Sequence, residues 1–436
     1  MAADASRLAH WQEVIRETPY WESQGVHANL ATIRRWVLAG ESYCEDEERH
    51  ILFDRRARFL GYVSTDGDRD ANQSGINERR KQLAETGEVH AWVAGELGGI
   101  GYPFALSCKQ PHARLAEALA RYIGEDEEAR LWGTWDGMRI GTPDAPESLY
   151  DAIRQVYEYR LQRGQISLPD HVLGTLAGKV AIESGGIREA HSPMDARGIM
   201  QLSPAALRDC GLDRSVHFHR IAQIDCALKL TEQNHRNLEP VFIEHFGHLP
   251  EQKAAMLYGM LLLQAYHSGV GRVHALLTDQ SLNGAARYFA EHHERFTAGD
   301  IALGMIFHNL GRDRLGFASL YYVTDVSIAI REACVRLRDL PGCRGRTEIP
   351  KPGPTGAGTT GGTAVTDRNA EAWHHGGART EIPKPGITGA LGNTGHYTLV
   401  TPQAGFGIPL VRARMQTRRL AVAHQARLPS RGGESR

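Results

Sequence analysis

Val172-Leu173-Gly174-Thr175-Leu176-Ala177-Gly178-Lys179-Val180-Ala181-Ile182-Glu183, followed by Ser184-Gly185-Gly186, is the stretch on which the reading of the fold turns. Val172, Leu173, Leu176 and Val180 recur at helical spacing, so the segment reads as a helix with an apolar stripe, and the glycine pair supplies its stop. Glu183 falls three residues after Val180 and seven after Leu176, in phase with the stripe and in the last turn. A carboxylate so placed is poorly solvated, and desolvation raises its pKa towards neutrality. A general acid working on a glycosidic oxygen needs that property. Glutamates near helix ends on partly apolar faces are common, so phase alone does not make Glu183 catalytic. The residues that follow it carry more weight.

After Glu183-Ser184 comes a loop with His191-Ser192-Pro193, then Ala196-Arg197-Gly198-Ile199-Met200-Gln201-Leu202-Ser203-Pro204. Ser203 as cap and Pro204 in the first turn start a new helix, which ends the loop and sets Met200 and Gln201 beside the glutamate helix. Gly198 lets backbone approach closely where a sugar must pass. Met200 has two readings, core side chain or ligand contact, whereas the polar Gln201 reads as a ligand contact. Met256, Leu257, Met260, Leu261, Gln264 and Ala265 define a further buried helix that ends at Ser268-Gly269. Tyr266 emerges at its end, where a hydroxyl can reach the glutamate or a sugar.

This order of motifs resembles the soluble lytic transglycosylase family: Glu-Ser, a loop, Gly-Leu-Met-Gln, then Ala-Tyr-Asn-Ala-Gly. Here the counterparts are Glu183-Ser184, Gly198-Ile199-Met200-Gln201 and Ala265-Tyr266-His267-Ser268-Gly269, and the match runs from roughly Ser167 to Val326. The resemblance implies a lysozyme-like domain that cleaves peptidoglycan between N-acetylmuramic acid and N-acetylglucosamine. Glu183 would act as acid and then as base, giving a 1,6-anhydro product with neither metal nor cofactor. Ser184, Gly198, Met200, Gln201, Tyr266, His267 and a late tyrosine, Tyr322 or its neighbour Tyr321, would support it or contact substrate. The departures are His267 for the family asparagine, Ser268 for its second alanine and Val270 for a frequent proline. Asp195, where the family often has a small residue, keeps open a hydrolase in which it activates water. A non-catalytic glycan-binding or assembly protein that retains the cleft is the reading from another class.

Working outward, the chain divides by composition into three zones, with an α+β fold class overall. Residues 1–142 mix helical and strand-like stretches, namely Ile51-Leu52-Phe53, Phe59 to Val63, His90 to Val93, Tyr102 to Leu106 and Leu131 to Ile140. They read as a small antiparallel sheet with helices on one face, of unassigned role. The glycines of Gly95 to Gly101 do not clearly open a helix, so they read as a hairpin rather than a phosphate loop. Residues 143–340 read as the mainly helical, lysozyme-like catalytic domain. Residues 341–436 are rich in Gly, Pro and Arg and carry Arg-Thr-Glu-Ile-Pro-Lys-Pro-Gly twice, at Arg346–Gly353 and Arg379–Gly386. That composition reads as a flexible tail with extended spacers.

Composition bounds the rest. Of 436 residues, 42% are hydrophobic and 23% charged, enough for a sizeable core, and the net charge of −1 gives no bulk footprint for nucleic acid. The tail carries about eight more Lys/Arg than Asp/Glu, read as a solvated segment. The six cysteines have no C-x-x-C pair, are too few in so long a chain to read as a disulfide framework, and read as small buried apolar residues, although Cys210 and Cys226 could lie near one another. His217, His219, His292 and His293 form no convincing ligand set. No run is long and apolar enough for a membrane span. Met1 to Arg16 lacks the pattern of a secretory signal, so the expectation is synthesis in the cytoplasm and action in the periplasm or cell wall after signal-less export. That suits a delivered antibacterial effector or a phage-like wall-degrading enzyme, with a secretion apparatus or an immunity protein as further partners.

Overall fold

The computed structural model describes residues 10–39, 44, 46–65, 68–97, 99–109 and 114–337. It is mostly helical with a small antiparallel sheet. Helices α1 (Trp11–Glu17) and α2 (Val26–Ala39) precede strands β1 (Arg49–Phe53) and β2 (Phe59–Ser64), then α3 (Arg69–Glu85) and β3 (Phe104–Ser107). The sheet runs β2-β1-β3, with Ile51 opposite both Tyr62 and Leu106. The central strand buries Ile51, Leu52 and Phe53. The stretch His90 to Val93, expected as a strand, makes a single bridge from Val93 to Tyr102. Gly95 and Gly101 close on the buried Arg80 side chain, which donates to the Pro103 carbonyl.

Helix α4 (Leu115–Ile123) and the hairpin of β4 (Gly133–Trp135) and β5 (Met138–Ile140) lead into α5 (Leu149–Gln162) and the glutamate helix α6 (Val172–Glu183). After the motif loop come α7 (Pro204–Asp209), α8 (Arg220–Phe246), α9 (Glu251–Ser268), α10 (Val270–Thr278), α11 (Gly284–Glu291), α12 (Ala298–His308) and α13 (Phe317–Arg336). Ser203 accepts from the Ala206 N–H with Pro204 in the first turn, as the sequence implied. Among the described residues no helix is long and apolar enough to cross a membrane.

Two apolar cores organise these elements. One gathers α1, α2, the sheet and α9 to α12. The other gathers α4 to α7 and the first half of α8. Helices α8, α9 and α13 feed both: Leu320 and Val323 of α13 enter the first core, Val326 and Ile330 the second. A boundary at residue 142 therefore does not separate two independent cores. Helix α2 also packs on α13, tied there by a bidentate, buried ion pair of Arg34 and Asp325 with both contacts at 2.6 Å. The 341–436 tail and its repeats lie outside the described residues.

Helix α6 lies deep because its small residues let α13 come close. A Cβ on Gly178 would stand 2.7 Å from both the Val326 carbonyl and the Ile330 side chain. Leu173, Leu176, Ala177 and Val180 are buried in the second core, and Met256, expected to be buried on α9, is 41% exposed.

The cysteines depart from their reading as isolated apolar residues. Cys44 bonds Cys108 and Cys210 bonds Cys226, with Cα atoms 5.2 Å and 5.7 Å apart, and Cys334 is disulfide-bonded as well. Cys210 closes α7 while Cys226 lies in the second turn of α8, so helix packing brings the two together.

Candidate active site

Glu183 ends α6, where Ser184 leaves helical geometry and Gly185 and Gly186 adopt φ of +62° and +77°. Its carboxylate is half-buried and accepts a hydrogen bond from the Tyr322 hydroxyl at 2.6 Å. Burial raises the carboxyl pKa from 4.5 to about 7, against the opposing pull of the Tyr322 hydroxyl and of Lys179. The negative end of the helix dipole acts in the same direction as burial. Near neutrality this group is therefore poised both to give and to take a proton.

One turn earlier, Lys179 is fully buried. Its ammonium donates to Thr231 Oγ1 at 3.3 Å and stands 3.8 Å from the centroid of the Tyr266 ring. Burial lowers its pKa to about 7, with Glu183 pulling the other way. The sequence reading did not assign it a role. The signal was present, because Lys179 lies three residues after Leu176 and four before Glu183, on the same apolar stripe.

The motif loop closes over the end of α6. Ser184 is buried; its hydroxyl donates to the Ile199 carbonyl at 2.8 Å and accepts from the Gly186 N–H. Asp195, Gly198 and Gln201 take φ of +62°, +72° and +45°. Two of these are non-glycine residues in a region that side chains rarely adopt, and such strain clusters at functional sites. The buried Gln223 of α8 holds the loop: its amide oxygen accepts from the Met200 N–H at 3.0 Å and its amide nitrogen donates to the Arg197 carbonyl at 2.8 Å. Sequence reasoning missed Gln223, since nothing local ties it to residues more than twenty positions away.

Several assignments change in this light. Met200 is fully buried in the second core, so it is a packing residue rather than a substrate contact. The close approach at Gly198 is to Gln223 and not to an open cleft. Gln201, half-buried, turns its amide nitrogen onto the carbonyls of Ala190 and Gly198 at 3.1 Å and 3.0 Å, which spends both donors on the loop. Tyr266 donates to the Met200 carbonyl at 2.9 Å; its hydroxyl braces the motif loop, and the hydroxyl that reaches the glutamate is that of Tyr322. Tyr321 instead lies under the Arg34 guanidinium.

His267 has an exposed edge and stacks on Tyr322, with centroids 4.4 Å apart and planes within 16°. Desolvation, then the Arg272 charge, lowers its pKa from the ordinary imidazole value, so it is neutral at pH 7. Asp195 is exposed and bound by the Arg197 guanidinium and the His191 ring, both at 2.7 Å, contacts that hold its carboxyl below the usual range. Among the described residues no cluster of three His, Cys, Asp or Glu could hold a metal ion. No protein-family model matches the chain, and no curated protein matches it significantly.

Proposed function

We propose that this chain cleaves the glycan strands of bacterial peptidoglycan between N-acetylmuramic acid and N-acetylglucosamine, with Glu183 as the acid and then the base. The observation that carries the reading is the half-buried carboxyl at the end of α6, hydrogen-bonded by Tyr322 and holding its proton to about pH 7. In the first step Glu183 gives its proton to the bridging oxygen, the bond to C1 of the muramic residue breaks, and the leaving sugar departs as an alcohol. In the second the Glu183 carboxylate takes the proton of the C6 hydroxyl, whose oxygen closes on C1. The product is a 1,6-anhydro sugar, no water is consumed, and Glu183 returns to its acid form.

A route through water would call on a second carboxylate. Asp195 is poorly suited to that, because the Arg197 and His191 contacts on its Oδ1 hold its carboxyl below the usual range and make it a weaker base. Asp195→Asn is therefore expected to leave the product spectrum of a peptidoglycan digest unchanged. Reducing-end products in the wild-type digest that vanish in this variant would turn the reading to a hydrolase. Tyr322→Phe removes the donor that favours ionised Glu183, so Glu183 should hold its proton to still higher pH. The alkaline limb of the pH–rate profile should move up and the rate should fall about tenfold, the worth of one hydrogen bond to a charged group. An unmoved limb would mean that Tyr322 does not act on the catalytic carboxyl.

The disulfides Cys44–Cys108 and Cys210–Cys226 suit work in an oxidising compartment, consistent with export to the periplasm or wall as a delivered enzyme.

A further inference from the structure

A fully buried lysine is an unusual tenant of an apolar core. Lys179 sits among Leu176, Ala177 and Val180, where a methionine of similar length would fill the space without desolvating a charge. Its surroundings are nevertheless built for an ammonium. From α8, Thr231 supplies a hydroxyl oxygen, and that hydroxyl spends its own proton on the Ala227 carbonyl at 2.7 Å, so it faces Lys179 as an acceptor. From α9, Tyr266 presents its ring face to the ammonium. From α6 itself the charge that acts on Lys179 is Glu183, four residues on. From α13, Tyr322 faces Glu183 rather than the lysine.

We infer that Lys179 is a positioning residue for the acid, a buried cation one helical turn below Glu183 that favours the carboxylate formed when the proton leaves. The inference rests on the reading of Glu183 as acid and base. That role makes two demands that oppose one another. A donor must be desolvated enough to keep its proton, and the same group must then exist as an anion long enough to deprotonate the C6 hydroxyl. Burial meets the first demand. Tyr322 and Lys179 meet the second, one by a hydrogen bond and one by charge. Because the two groups lie four residues apart on one buried helix and each acts on the other's charge, their protons belong to the pair, and the ammonium gives its proton up more readily once Glu183 is neutral.

The test is direct titration of the Glu183 carboxyl in the full chain. Infrared difference spectra of protein labelled with carbon-13 glutamate, taken against E183Q, isolate the carbonyl stretch of protonated Glu183. In Lys179→Met the midpoint should rise by about one unit, the lower end of the effect of a nearby opposite charge. Thr231→Val, which keeps shape and removes the acceptor, should shift it the same way by less, and it decides the matter alone if Lys179→Met does not fold. An unchanged midpoint in a folded variant would overturn the inference. Because the spectra need no turnover, a shift in a chain that cleaves no peptidoglycan would leave the Lys179–Glu183 coupling standing and remove the proposed function. Cleavage with no shift would do the reverse.

Discussion

Glu183→Gln is expected to lower the release of soluble muropeptides from purified peptidoglycan by about 10²–10⁴-fold, the usual worth of general acid–base catalysis. Glutamine matches the carboxylate in shape, and its amide oxygen can still accept the Tyr322 hydroxyl, so binding to insoluble peptidoglycan should persist. What is lost is the proton itself. Mass spectrometry of the digests checks the chemistry, since anhydro-muropeptides should be the products that disappear. For the wild type the acid form is present below about pH 7 and lost above it, so the rate should decline as pH rises through that value. Stability follows the same proton. The folded carboxyl keeps it from its ordinary 4.5 up to about 7 while the unfolded chain releases it, so the folded state binds more protons and stability falls as pH rises across that window. A glutamine cannot ionise, and the variant should lack this component of the slope in melts at a series of pH values. Cleavage by the variant at the wild-type rate would remove Glu183 from the mechanism.

The parts of this arrangement that were legible in the sequence are those governed by local rules. The apolar stripe of α6, its glycine stop, the Ser203-Pro204 helix start and the end of α9 at Ser268 all follow from periodicity and capping. The strand pair β1–β2 follows from two short apolar runs. Long-range partners were not legible. Arg34 and Asp325 are separated by 291 residues, and no local pattern in either helix names the other. For the same reason a change of texture near residue 142 looked like a domain boundary, although helices from both sides complete each other's cores. At the site, the helical phase placed Glu183 correctly at the last turn but could not say which hydroxyl would meet it. Tyr266 and Tyr322 each stand beside the α6 end, and the choice depends on how α9 and α13 pack. Gly198 is a related case. Its residue type signals a close approach, while the partner, Gln223, comes from another helix.

That approach makes Gly198→Ala the substitution with the largest expected cost to folding. A Cβ at this position would stand 2.1 Å from Gln223 Nε2, 2.4 Å from Cδ and 2.5 Å from Oε1, with the backbone at φ +72°. The left-handed conformation alone costs an alanine about 1–2 kcal/mol. Relief of the clash is not cheap either, because Gln223 is fully buried and its amide joins Met200, Arg197 and His217. Moving it leaves buried backbone groups without partners, at about 1–3 kcal/mol. Together these predict a loss of about 2–5 kcal/mol in denaturant unfolding. Gly164→Ala provides the comparison, since its φ is +64° and nothing lies within 4 Å of the added carbon. It should show the backbone cost alone. The excess at Gly198 then measures how firmly Gln223 clamps the motif loop to α8, and equal losses at the two glycines would mean that the clamp contributes nothing. Because the same loop accepts the Tyr266 hydroxyl at Met200 and the Ser184 hydroxyl at Ile199, a displaced Gln223 loosens both braces around the Glu183 helix end. Folded Gly198→Ala protein should therefore lose cleavage beyond what its stability explains, whereas Gly164→Ala should keep the wild-type rate.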